Sequence, residues 1–123
     1  MDALWVGIGG AVGAVLRFHC GGYVQRHWGG PFPYGTLTVN VVGSFLLGLL
    51  MVAGLRAPLP PKLMLALSTG VLGGFTTYST FNYETLRLLN AGAVGSAVLN
   101  VLATVVLALL GGALGWMLGQ SLT

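Results

Sequence analysis

Only seven side chains in this 123-residue chain are charged, five Lys or Arg and two Asp or Glu. A soluble domain charges roughly a quarter of its residues to hold its surface in water. At 6% charged and 55% hydrophobic, this chain cannot cover a water-facing surface. The class that fits is an all-α membrane protein, multi-pass in a lipid bilayer, and the length allows one domain over 1–123. The cations stand singly, whereas nucleic-acid surfaces need them clustered, so no nucleic acid is expected as a partner. A single cysteine, Cys20, leaves no intrachain disulfide and no multi-cysteine metal site. The opening "MDALWVGIGG" lacks a basic n-region, so a cleaved signal peptide is not expected.

A helix needs about 20 apolar residues to cross the hydrocarbon core. Four stretches qualify, over about 4–22, 35–55, 62–83 and 92–120. "HWGGPFPYG" and "RAPLPPK" separate the first three, with prolines and glycines that do not continue a helix. "ETLRLLNAG" is the weaker break before the fourth. Four spans place Arg56 and Lys62 on one side and Arg26 and Arg87 on the other. Orientation is ordinarily read from an excess of cations on the cytoplasmic side. With two against two, the chain is expected to insert both ways, and two opposed copies could then pair about a two-fold axis. Small residues four apart, at Gly9 and Gly13, Ser44 and Gly48, Gly70 and Gly74, and Gly111, Gly115 and Gly119, allow close helix approach.

Polar groups within a bilayer tend to face a bundle interior or a watery path. Thr36, Asn40 and Ser44 recur at four-residue spacing on one helix face, and Ser96, Asn100 and Thr104 repeat the pattern. Between them lies the run Thr76, Thr77, Tyr78, Ser79, Thr80. Each residue alone could bond its own helix or glue two helices together. Together they outline a transport path. No carboxylate lies inside a span, which argues against a proton-coupled cation exporter. Hydroxyls, amides and the positive edges of aromatic rings suit an anion. Arg17, the one charge inside a span, either reaches the membrane interface or faces a vestibule. At Gly73 and Gly74 the backbone could leave the helix near the middle of the third span. Freed carbonyls there suit a hard cation, which two copies could share.

Three blocks carry a resemblance: "GGAVGAVLRF" at 9–18, "GTLTVNVVGSFLLG" at 35–48 and "GVLGGFTTYSTFNYE" at 70–84. In order and spacing they resemble the signature blocks of the Fluc/CrcB fluoride channel family, across essentially the whole chain. The resemblance implies an antiparallel, dual-topology homodimer of four-helix subunits with two fluoride pores in the cell (inner) membrane. It implies a fluoride-selective channel that passively exports fluoride and lowers its level in the cytoplasm. Asn40 is then the pore asparagine, Tyr78 and Phe81 present ring edges to fluoride, and Ser79 and Thr80 belong to a polar track. A structural Na+ at the dimer centre falls on main-chain oxygens of Gly73 and Thr76, and Arg17 stands near the vestibule. The chain departs from the family pattern twice. Tyr78 replaces the usual Phe, and the fourth-span track reads Asn100, Thr104, Ala108, where a Tyr followed by hydroxyls is common.

Two other classes compete. A small dual-topology multidrug-type transporter lacks its carboxylate here, and a non-transporting membrane assembly subunit would use the same polar groups as packing glue. An enzyme is not expected, since His19 and His27 have no acid or second ligand at useful spacing. With Trp5, Trp28 and Trp116 they read as interfacial residues.

Overall fold

In the computed structural model, which describes residues 1–122, the chain is a succession of helices, with no strand among the described residues. The long helix α1, Asp2–Trp28, ends where Gly29 adopts φ 65°, a conformation that favours glycine. The prolines of the following loop then deliver the chain to α2, Tyr34–Arg56. Pro60 and Pro61 start α3, Pro61–Leu65, as proline suits the first turn of a helix. A π-helical segment, Ala66–Leu72, continues it into α4, Gly73–Phe75. After three non-helical residues come α5, Ser79–Asn90, and α6, Val94–Ser121, joined through Gly92 at φ 81°.

Three of these helices, α1, α2 and α6, are long and apolar enough to cross a membrane. They contain most of the first, second and fourth expected spans, and the protein is membrane-embedded. The stretch over 62–83 is not one helix. It is divided among α3, the π-helical segment, α4 and the start of α5. The sequence reading expected the backbone to leave the helix at Gly73 and Gly74, but both are helical, Gly73 with φ −62° and ψ −39°. The chain turns extended three residues later, at Thr76, with φ −90° and ψ 157°.

Lipid gives apolar helices no hydrophobic reason to associate, so close backbone approach through small residues has to hold them. The glycine pairs do this. A methyl group on Gly13 would collide with the Val71 carbonyl, and one on Gly74 would stand 2.6 Å from the Gly10 carbonyl oxygen. Thus α1 runs alongside, and parallel to, the segment from the π-helix to α4. On the other side α2 runs parallel to α6: a methyl on Gly48 would lie 2.5 Å from the Gly112 oxygen, and one on Gly115 would strike Phe45. Arg56, at the end of α2, donates to the Gln120 carbonyl at the end of α6, 3.0 Å away. The interruption at residues 76–78 faces α2 between these two pairs.

Candidate functional site

The site begins with what the interruption leaves unsatisfied. A chain leaving a helix gives up backbone hydrogen bonds, and in lipid each must find another partner. Thr77 finds both of its partners on one side chain. Its N–H donates to Asn40 Oδ1 at 2.8 Å, and its carbonyl accepts from Asn40 Nδ2 at 3.0 Å. Asn40 is buried, 9% exposed, and one N–H of its amide remains for another acceptor. The Thr77 hydroxyl accepts the Thr80 N–H at 3.2 Å and so caps the first turn of α5. The same oxygen lies 3.2 Å from Thr80 Oγ1 and 3.4 Å from Ser79 Oγ.

Upstream, the Thr76 N–H and hydroxyl both donate to the Leu72 carbonyl, at 3.1 and 3.0 Å. Arg17 Nε donates to the Gly74 carbonyl at 3.0 Å, so this arginine is turned inward against the interruption. Among the described residues no donor reaches the carbonyl oxygens of Gly73 or Thr76. These are hard oxygen atoms of the kind that coordinate a small hard cation. No three His, Cys, Asp or Glu side chains cluster among the described residues.

Two cavities flank the Asn40–Thr77 pair, and Thr77 lines both. One, of about 450 Å³, lies between α1, α2 and α5 and is lined by Arg17, Gln25, Thr36, Thr80 and Glu84. The other, of about 590 Å³, is lined by Asn40, Ser44, Thr76, Tyr78, Phe81 and Thr104. Phe81 is buried, and Tyr78 stands at 66° to it with ring centroids 5.7 Å apart. Tyr78 itself is 77% exposed.

The structure therefore gathers Asn40, Tyr78, Phe81 and Thr104 around one cavity, and Arg17 and Thr80 around the other. Two expected pore residues stand apart. Ser79 is exposed and lines neither cavity, because α5 starts there and turns its side chain outward. Asn100, 1% exposed, is held behind the cavity by Thr85: its Nδ2 donates to Thr85 Oγ1 at 2.9 Å. Thr85 Oγ1 donates in turn to the Phe81 carbonyl at 2.8 Å, and Thr104 reaches Asn100 Oδ1 at 3.5 Å. Sequence reasoning placed Thr77 in the hydroxyl run without its pairing to Asn40, and assigned no role at the site to Glu84 or Thr85. A Thr three residues before Thr80, at a helix start, is a capping signal that marks Thr77. Thr77, Thr80 and Glu84 share the spacing of one helix face.

A family model described as "CrcB-like protein, Camphor Resistance (CrcB)" matches residues 4–116. The chain belongs to the CrcB family. Among curated proteins, it is 51% identical over 120 residues to one from Geobacter sulfurreducens, covering 97% of each chain. It is 47% identical over 119 residues to one from Sorangium cellulosum, covering 96% of this chain and 94% of the relative. A relative from Thermus thermophilus is also 47% identical over 119 residues, with 97% and 94% covered. All three are named "Fluoride-specific ion channel FluC", a transport function and not an enzymatic one. The similarity to these CrcB-family relatives runs through α1, α2, the interrupted segment and α6.

Proposed function

We propose that this chain is a subunit of a fluoride-selective channel, through which fluoride leaves the cell passively and its cytoplasmic level falls. The observation that carries the reading is the cavity lined by the Asn40 amide, the Tyr78 and Phe81 rings and the Thr104 hydroxyl, with no carboxylate among its lining residues. The names of the relatives support the same ion. Fluoride enters acid-exposed cells as neutral HF and dissociates inside, so a passive pore lets the membrane potential drive the anion out.

In this reading the interrupted segment crosses the bilayer as a fourth, broken span, and the chain forms one four-helix transmembrane domain of the cell (inner) membrane. Non-helical backbone at membrane depth is tolerated only where it is buried in protein or lines a cavity, and residues 76–78 lie between two cavities. The exposure of Tyr78 supports a second copy covering this face, as an antiparallel, dual-topology homodimer with two pores. Fluoride leaving water loses a tightly held shell. The free N–H of Asn40, the hydroxyl of Tyr78 and the positive ring edges replace part of it without a full charge. Ser79 and Thr80 extend the track towards the Arg17 cavity. Asn100 supports Thr104 from behind. Weak, neutral contacts let the ion leave as readily as it enters. The carbonyls of Gly73 and Thr76 would hold a structural Na+ shared with the partner. That ion would supply fixed positive charge and tie the two interruptions together.

Fluoride efflux from liposomes tests the reading, with chloride efflux run in parallel. Wild type should release fluoride and not chloride, and Asn40→Asp and Phe81→Ile should abolish release. No fluoride release from folded, dimer-sized protein would overturn it. A packing subunit would then remain, and the Asn100–Thr85 bond is the contact that favours that second reading.

A further inference from the structure

We propose that Glu84, lining the same cavity as Arg17, is the residue that keeps the anion's entrance site weak. The inference rests on the channel reading above. The cavity of about 450 Å³ has one cation, Arg17, and one carboxylate, Glu84, among otherwise neutral lining groups such as Gln25, Thr36, Thr77 and Thr80. No ion pair joins the two, and Glu84 Oε1 is buried without any hydrogen-bond partner. A buried polar atom with no partner is uncommon and calls for a cause.

An anion that arrives with its water shell supplies one. A shell water donates one O–H to the anion and turns the other outward, where Glu84 can accept it. Arg17 lines the cavity and its Nε is held by the Gly74 carbonyl, which leaves the other guanidinium N–H groups for an anion. The pair thus receives a hydrated small anion without placing a bare one against a bare cation. Were Glu84 neutral, the uncompensated Arg17 would hold the anion in place, and a site that binds too well slows conduction. Larger anions hold their water weakly and bring no such donor to Glu84.

No other charged side chain lines the cavity. Besides Arg17, α1 contributes uncharged residues such as Phe18 and Gln25, while Arg26, whose guanidinium stands beside Gly22, is exposed; α2 contributes the neutral Gly35, Thr36 and Val39. The helix α6 carries no charged side chain, and on α5 the neighbouring cation, Arg87, is exposed.

The test is fluoride current across planar bilayers as a function of fluoride concentration, at fixed ionic strength. Glu84→Gln keeps the side-chain shape and removes the charge. Half-saturating fluoride should fall about tenfold, as expected for one charge removed at moderate distance in a partly polar site, and the maximal current should fall with it. Glu84→Ala must shift half-saturation in the same direction, so whichever neutral variant is recovered folded decides the matter. Glu84→Asp, which keeps the charge, should stay close to wild type. Wild-type half-saturation in a folded neutral variant would overturn the proposal. A wild type that passes no fluoride at all would instead defeat the channel reading, so the two failures are distinguishable.

Discussion

The side-chain amide of Asn40 pairs with both backbone groups of Thr77, accepting at 2.8 Å and donating at 3.0 Å. A side chain from α2 thereby replaces the helical hydrogen bonds that the chain surrenders at the interruption. Asn40 has a structural task before any ion arrives, and it keeps one N–H for the cavity.

Asn40→Asp separates these tasks poorly, and for a physical reason. A carboxylate still accepts the Thr77 N–H, but it has no donor for the Thr77 carbonyl, and the two oxygens repel. Loss of a buried donor costs about 1–3 kcal/mol. Thermal unfolding in detergent should show a lowered midpoint, together with loss of fluoride efflux. An unchanged midpoint would mean that the pairing does not hold the interruption.

The glycine contacts make a second prediction. A methyl on Gly13 would strike the Val71 carbonyl. Gly7, on the same helix, has open space around its would-be Cβ. Gly13→Ala should therefore reduce the yield of folded protein and its melting temperature, whereas Gly7→Ala should leave both near wild type. Size-exclusion profiles of the two variants, side by side, check this.

The Tyr78 hydroxyl makes no hydrogen bond among the described residues, so removing it takes no partner from another group of the chain. A phenol beside an anion's path binds through its O–H, and binding of that kind slows release. Tyr78→Phe should melt as wild type does and conduct fluoride faster in liposome efflux. Slower efflux would show that the hydroxyl helps the ion along.

The free carbonyls of Gly73 and Thr76 lead to a test by ion replacement. If they hold Na+ between two copies, exchange of Na+ for N-methylglucamine throughout purification should lower the melting temperature and favour monomers. Restoring Na+ should reverse both changes. Protein indifferent to the exchange would exclude a structural sodium at these oxygens.

Much of this architecture was legible because membrane helices announce themselves through what they lack. The scarcity of charge and the breaks "HWGGPFPYG" and "RAPLPPK" located both ends of α2 and the start of α1 to within two residues, while α1 runs past its expected end to Trp28. The spacing of Gly9, Gly13, Gly111, Gly115 and Gly119 marked real contacts, because only residues without side chains permit such approach. The interruption was harder to place. Glycine permits a departure from the helix without requiring one, and the partner that satisfies the backbone just after it, at Thr77, is Asn40, distant in sequence. Ser79 and Asn100 line neither of the two cavities at the interruption for a related reason. A four-residue periodicity gives a helix face, but not which neighbour that face meets. Glu84 and Arg17 lie far apart in sequence, and only the packing of α1 brings them to the same cavity.

Asn100 supplies the last prediction, since its burial fits either a packing contact or a part of the path. Thr85→Val keeps the shape of the side chain but leaves Asn100 Nδ2 without its acceptor, and an unpaired buried donor costs about 1–3 kcal/mol. Replacing both partners with apolar groups of similar shape can be nearly neutral. The double variant Thr85→Val, Asn100→Leu should therefore recover most of the stability that Thr85→Val loses. Thermal unfolding measures that recovery, and fluoride efflux from the same preparation then assigns the residue. If Asn100 acts only by holding α6 and Thr104 against α5, the stable double variant conducts, which is the outcome expected from its position behind the cavity. If the double variant is stable and closed to fluoride, the Asn100 amide touches the ion, and the path runs deeper between α5 and α6 than the cavity at Asn40.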